Sequence, residues 1–146
     1  MKKVKPKFLK KNSEINIIAP SSNLKRDIFK SAQSFYENQG YQIRYQEDIF
    51  EKIYFTAGTL ERRFMELKNA FENPTSDMVF CARGGAGAYD LLSKELENIN
   101  IQPWKIFLGG SDNTFLLQYF LKKGNVVFHG PVFSNENLDE KISEEN

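Results

Sequence analysis

Five short hydrophobic runs alternate with amphipathic stretches along this chain, and that alternation restricts the fold more than any other feature of the sequence. They are Ile15 to Ala19, Tyr41 to Tyr45 (which alternates as a half-buried strand does), Met78 to Ala82, Lys105 to Leu108 and Asn125 to Phe128. Their lengths suit strands, and the longer stretches between them carry apolar residues at helical spacing. Strands that alternate with helices pair in parallel, because a parallel neighbour needs a crossover that a helix supplies. The sequence therefore predicts an α/β fold: a doubly wound, mostly parallel five-stranded sheet with helices on both faces.

The amphipathic stretches fill in this frame. Leu24, Ile28, Ala32 and Phe35 define a first helix ending near Gly40, with the Ser21-Ser22-Asn23 cluster placed to cap it. Leu60, Phe64, Leu67 and Phe71 mark one face of a second, stopped at Asn73-Pro74. Leu91, Leu92 and Leu96 mark a third, and Phe115, Leu116, Tyr119 and Phe120 a fourth, ended by Gly124. Met and Phe at such spacing are expected in the core.

At 146 residues the chain makes one domain, with hydrophobic residues at 40%, enough for a packed interior. Residues 1–13 read as a basic tail, 14–133 as the α/β domain and 134–146 as an acidic tail. A formal net charge of +1 argues against an extended nucleic-acid surface. Cys81 is the only cysteine, which excludes an internal disulfide. INIIAP is too short for a signal-peptide core, and no stretch nears the roughly 20 apolar residues of a membrane span. The expected setting is cytoplasmic, with no membrane partner. One histidine, one cysteine and scattered carboxylates give no metal-ligand spacing.

Open parallel sheets hold ligands at the carboxyl ends of their strands. Four small or polar clusters fall there: Pro20-Ser21-Ser22, Gly84-Gly85, Gly110-Ser111-Asp112 and His129-Gly130-Pro131. Ser111 stands where a strand-to-helix turn exposes a hydroxyl beside a positive helix end, which suits either a nucleophile or a simple helix cap. Asn113 occupies the place of the second glycine of a G-x-S-x-G elbow. The backbone of Gly84, Gly85 and Gly87 can approach a ligand as an oxyanion hole or phosphate cradle, or can serve only as a tight connection. The spacing fits neither a dinucleotide fingerprint nor a P-loop. Arg83 can receive a carboxylate by bidentate pairing or lie on the surface paired with an acid. His129 is the only histidine available to a Ser-His pair, and orienting the Gly130-Pro131 turn is its simpler role. Cys81, inside an apolar run, packs rather than reacts.

Together the segments INIIAPSS, Ala57-Gly58 with Arg62-Arg63, FCARGGAGAYDLL, KIFLGGSDNTFLL and VVFHGPV resemble the LD-carboxypeptidase family of serine peptidases, which includes the microcin immunity peptidases. The resemblance runs over about residues 14 to 133, in the family's order. It implies a flavodoxin-like N-terminal domain and release of the terminal D-alanine from peptidoglycan stem peptides. It maps the nucleophile onto Ser111 and the oxyanion-hole N–H groups onto Asp112 and Gly85. Arg83, Gly84, Ala86, Gly87, Ser21 and His129 then line the substrate edge. No cofactor or metal is implied. The family loop usually carries Tyr where this chain has Ala86, and an apolar or β-branched residue where it has Asn113. The family's Glu and His come from a second domain after the His-Gly-Pro segment, so this chain is expected to be the nucleophile-bearing half, inactive alone. The expected partners are a peptidoglycan-derived peptide and either that C-terminal domain or a second copy of the chain. A non-catalytic muropeptide-binding module is the alternative, and a nucleotide-binding or amidotransferase-like α/β domain a weaker third.

Overall fold

All five hydrophobic runs are strands in a computed structural model of the chain, which describes residues 5–102 and 104–134. They are β1 (Glu14–Ile18), β2 (Gln42–Arg44), β3 (Met78–Cys81), β4 (Ile106–Gly109) and β5 (Val127–His129). The sheet is parallel throughout, in the order β2-β1-β3-β4-β5. β3 is buried at every position, as a central strand covered on both faces must be.

Three helices connect them: α1 (Arg26–Asn38), α2 (Leu60–Glu72) and α3 (Thr114–Lys122). Parallel neighbours take right-handed crossovers, which sends α1 to one face and α2 and α3 to the other. The packing follows. Phe29 and Ala32 of α1 join Ile15, Ile17, Met78 and Phe80 in one layer. Leu67 and Phe71 of α2 and Leu116, Leu117 and Phe120 of α3 join Ile18, Val79, Cys81 and Phe107 in the other. Phe133, beyond the last strand, returns to fill the first layer, where its ring stacks on Tyr36 at 5.0 Å. The Phe133 and Ser134 N–H groups donate to Cys81 O and Ala82 O, so the folded body runs through Ser134, and the rest of the acidic tail lies outside the described residues.

Four expectations need correction. The third helix is two 3₁₀ turns, Ala88–Leu91 and Lys94–Asn98. Leu91 and Leu96 are both buried, yet residues five apart on an α-helix point about 140° from each other. Breaking the helix at extended Ser93 lets both reach the core. The cluster at Ser21 to Asn23 does not cap α1, whose N-cap is Lys25 without a side-chain bond. Both serine hydroxyls are committed to the neighbouring strand ends instead. The buried face of α2 comprises Arg62, Arg63, Glu66, Leu67, Ala70 and Phe71, while Leu60 at its start is exposed. Met65 and Phe115 are exposed rather than core, because Leu67 and Leu116 take the inward positions of their helices.

No helix among the described residues is long and apolar enough to cross a membrane.

Candidate active site

The order β2-β1-β3-β4-β5 reverses direction between β1 and β3, which opens a crevice above their carboxyl ends. Three strand ends meet there and are laced together by side chains. Asn113, fully buried, donates from Nδ2 to Arg83 O at 3.1 Å and to Gly110 O at 3.0 Å. Its Oδ1 accepts from Ser21 Oγ at 2.8 Å. One carboxamide thus joins the ends of β1, β3 and β4. Ser22 adds a second tie: its Oγ accepts from Ala86 N at 3.1 Å. Asp112 adds a third, with Oδ2 accepting from Ala88 N at 2.8 Å, and so holds the glycine loop against the turn after β4.

Ser111 stands on that turn with φ 57°, in the left-handed region. A side chain there is strained, and strain of this kind concentrates at functional sites. Its hydroxyl caps nothing: α3 begins at Thr114, and neither of the turns around it has a side-chain cap bond. Gly84 explains the glycine beside it. A Cβ on Gly84 would lie 2.6 Å from Ser111 Cβ and 2.8 Å from Oγ. Gly85 and Gly87 have φ of 114° and 120°, and a Cβ on Gly85 would overlap the Ser22 hydroxyl. The loop is built to bring bare backbone up to the serine. Among the described residues, neither Gly85 N–H nor Asp112 N–H has an acceptor. Unpaired N–H groups at a ligand edge are donors in waiting.

Arg83 is exposed, and its Nη1 donates to Asn23 O at 2.8 Å. No carboxylate of the described residues pairs with it. His129 does not approach the serine hydroxyl. Its Nε2 lies 3.2 Å from Thr114 Oγ1, and Thr114 spends its only hydroxyl hydrogen on Ser111 O at 2.6 Å. The ring therefore meets the nucleophile turn through Thr114. His129 braces the nucleophile turn through this contact and is not hydrogen-bonded to the serine hydroxyl. Cys81 is fully buried, and burial pushes its thiol pKa up, away from reactivity.

Behind the crevice lies a polar network that periodicity did not expose. Glu66, almost wholly buried, accepts from Ala19 N at 2.8 Å and from Arg62 Nη1 at 2.9 Å. Burial raises its carboxyl pKa to about 7, against the opposing pull of Arg62. Arg63 donates from Nη1 to Pro20 O at 2.9 Å and to Gly87 O at 2.6 Å, tying α2 to both β1 and the glycine loop. A charged pair at i and i+4 on the inward face of a helix was the available signal.

The comparisons agree with this geometry. The LD-carboxypeptidase N-terminal domain matches residues 15–130. The murein tetrapeptide carboxypeptidase of Pseudomonas aeruginosa is 30% identical over 122 residues, covering 83% of this chain and 40% of that protein. The probable murein peptide carboxypeptidase of Bacillus subtilis is 32% identical over 134 residues, covering 90% and 42%. An MccF-like protein from Bacillus anthracis superposes with a TM-score of 0.78 at 28% identity, over 90% of this chain and 41% of that one. The chain spans about two-fifths of the length of these relatives. With its strand order, its strained serine turn and a family match over most of its length, the chain belongs to the LD-carboxypeptidase family, in the part that forms the family's N-terminal domain.

Proposed function

We propose that this chain is the nucleophile-bearing half of a serine-type LD-carboxypeptidase that removes the terminal D-amino acid from peptidoglycan stem peptides. Ser111 attacks the scissile carbonyl, and the N–H groups of Gly85 and Asp112 receive the oxyanion. The observation that carries this reading is Ser111 at φ 57°, packed against Gly84 and flanked by two N–H groups without acceptors. Arg83, with no carboxylate partner among the described residues, suits the free carboxylate of the terminal residue. Gly84, Ala86, Gly87 and Ser21 shape the groove between them. The relatives' names, which specify murein peptides, favour this substrate class.

Among the described residues, none is hydrogen-bonded to the serine hydroxyl as a base would be. His129 is the only histidine, and its Nε2 contacts Thr114 Oγ1 rather than the serine hydroxyl. A serine hydroxyl at neutral pH is a weak nucleophile without a base. The activating Glu and His therefore come from a C-terminal half such as the longer relatives possess, placed over the crevice. The same observation supports a second reading, a module that holds the peptide without cutting it.

Labelling with a fluorophosphonate separates the two. Mass spectrometry is expected to find Ser111 modified only when the C-terminal half of a relative is added. Failure to label with that half present, while muropeptide still binds, would favour the binding module.

A further inference from the structure

The loop from Gly84 to Ala88 has little hold on its own conformation. Glycine takes φ on either side of zero at little cost, so the peptide units that join Gly84, Gly85 and Gly87 to their neighbours can face either way. Which way the Gly84–Gly85 unit faces decides whether an N–H or a carbonyl is offered to an oxyanion. Nothing within the loop settles the choice: no backbone hydrogen bond joins one of these five residues to another.

Groups outside the loop settle it, at both ends. A trans peptide unit is planar, and its C=O and N–H point in opposite directions. Gly84 O accepts from Ser22 N at 3.3 Å, which turns the Gly85 N–H of the same unit away from Ser22. The next unit is held by the same residue, whose Oγ accepts from Ala86 N at 3.1 Å. At the far end a single unit is gripped on both sides. Its oxygen, Gly87 O, accepts from Arg63 Nη1 at 2.6 Å, and its N–H, on Ala88, donates to Asp112 Oδ2 at 2.8 Å. The glycines leave room for these grips. A Cβ on Gly85 would lie 2.1 Å from Ser22 Oγ, and one on Gly87 would lie 2.7 Å from Arg63 Nη1. Arg63 is 3% exposed, and the same Nη1 also donates to Pro20 O at 2.9 Å. Pro20 and Ser22 both follow β1, so the two clamps share one anchor.

We propose that Ser22 and Arg63 are positioning residues, which hold the glycine loop in the orientation that offers Gly85 N–H to the oxyanion and so govern turnover rather than peptide binding. The inference rests on the carboxypeptidase reading above. Neither side chain has to touch the substrate. A donor that must be reoriented as the reaction proceeds loses much of what a fixed donor supplies, and only in the transition state.

Two measurements on Ser22→Ala and on Arg63→Met test it. In amide NMR spectra of the 146-residue chain alone, Gly85 and Ala86 are expected to give single narrow resonances in the native chain and doubled or broadened ones in both variants, with the strand amides unmoved. In mixtures with the C-terminal half of a relative, kcat for D-alanine release is expected to be about tenfold lower in each variant, with KM within about twofold of native. Should Arg63→Met not fold, Ser22→Ala decides alone. Loop amides that stay single, or a loss confined to KM, would overturn the clamp and leave the carboxypeptidase reading standing. No Ser111-dependent release from the native mixture would refute that reading, and with it the catalytic role given to the clamp.

Discussion

Replacing Asn113 by alanine tests whether the crevice is held together as described. The carboxamide is fully buried and makes three hydrogen bonds, to Ser21 Oγ, Arg83 O and Gly110 O, at 2.8 to 3.1 Å. Each buried bond is worth about 1 kcal/mol net, and stranding its partner costs more. The Ser21 hydroxyl, itself fully buried, has no route to water in the native packing. A loss of about 3 kcal/mol is expected, which for a domain of this size lowers the thermal midpoint by about 10 °C. Asn113→Asp should be worse at neutral pH, since a carboxylate cannot donate to the two carbonyls. Urea unfolding followed by circular dichroism gives the stabilities, and the slope m should be unchanged. Adding Ser21→Ala to Asn113→Ala should restore about 1 kcal/mol relative to the sum of the single effects, because the stranded hydroxyl goes with its partner. A cost below about 1 kcal/mol for Asn113→Ala, or strict additivity of the pair, would mean the three strand ends are not joined through this residue.

Other expectations follow from the same contacts. Ser111→Gly should raise stability by about 1 kcal/mol, since glycine adopts φ 57° freely, whereas Ser111→Ala should leave the strain in place; equal stabilities would remove the argument from strain. Gly84→Ala should cost about 1–3 kcal/mol and displace the serine turn, as an added methyl meets Ser111 Cβ at 2.6 Å, and a neutral result would show the loop to be looser than described. The folded pKa of Glu66 lies above its ordinary 4.5, at about 7, so the folded state holds a proton there that the unfolded chain releases. This contribution, up to about 3 kcal/mol, is fully present below pH 4.5 and is lost as pH rises through 7. Stability measured across that range should fall with pH in the native chain and flatten in Glu66→Gln, and parallel profiles would exclude Glu66 as the source.

Much of the fold is legible because the central strand β3 is buried on both faces, which requires a continuous hydrophobic run, while the edge strand β2 keeps the alternation of a half-buried strand. The strand ends were also placed correctly, and with them Ser111, Arg83 and the glycine loop. What periodicity misread is instructive. Leu91, Leu92 and Leu96 suggested a helix, but the core needed Leu91 and Leu96 together, and the backbone broke to supply them. Ser21 and Ser22 have the chemistry of caps, yet their partners lie more than 60 residues away in the chain, a separation no local rule can see. Asn113 read as a departure from an elbow pattern and is the residue that joins three strands. Arg62, Arg63 and Glu66 leave no trace in the apolar periodicity, yet they are buried and satisfy backbone groups behind the crevice. Phe115 failed in the opposite sense, an apolar residue left in solvent beside the nucleophile turn.

The most direct test of the central claim is D-alanine release from a muropeptide tetrapeptide by the 146-residue chain, alone and mixed with the C-terminal half of a relative, with Ser111→Ala in parallel. The account predicts no release by the chain alone above the Ser111→Ala control, and release that depends on Ser111 once the second half is supplied. Ser111-dependent release by the chain alone would contradict it, because a base would then have to be found within this half, where the one histidine is already bound to Thr114.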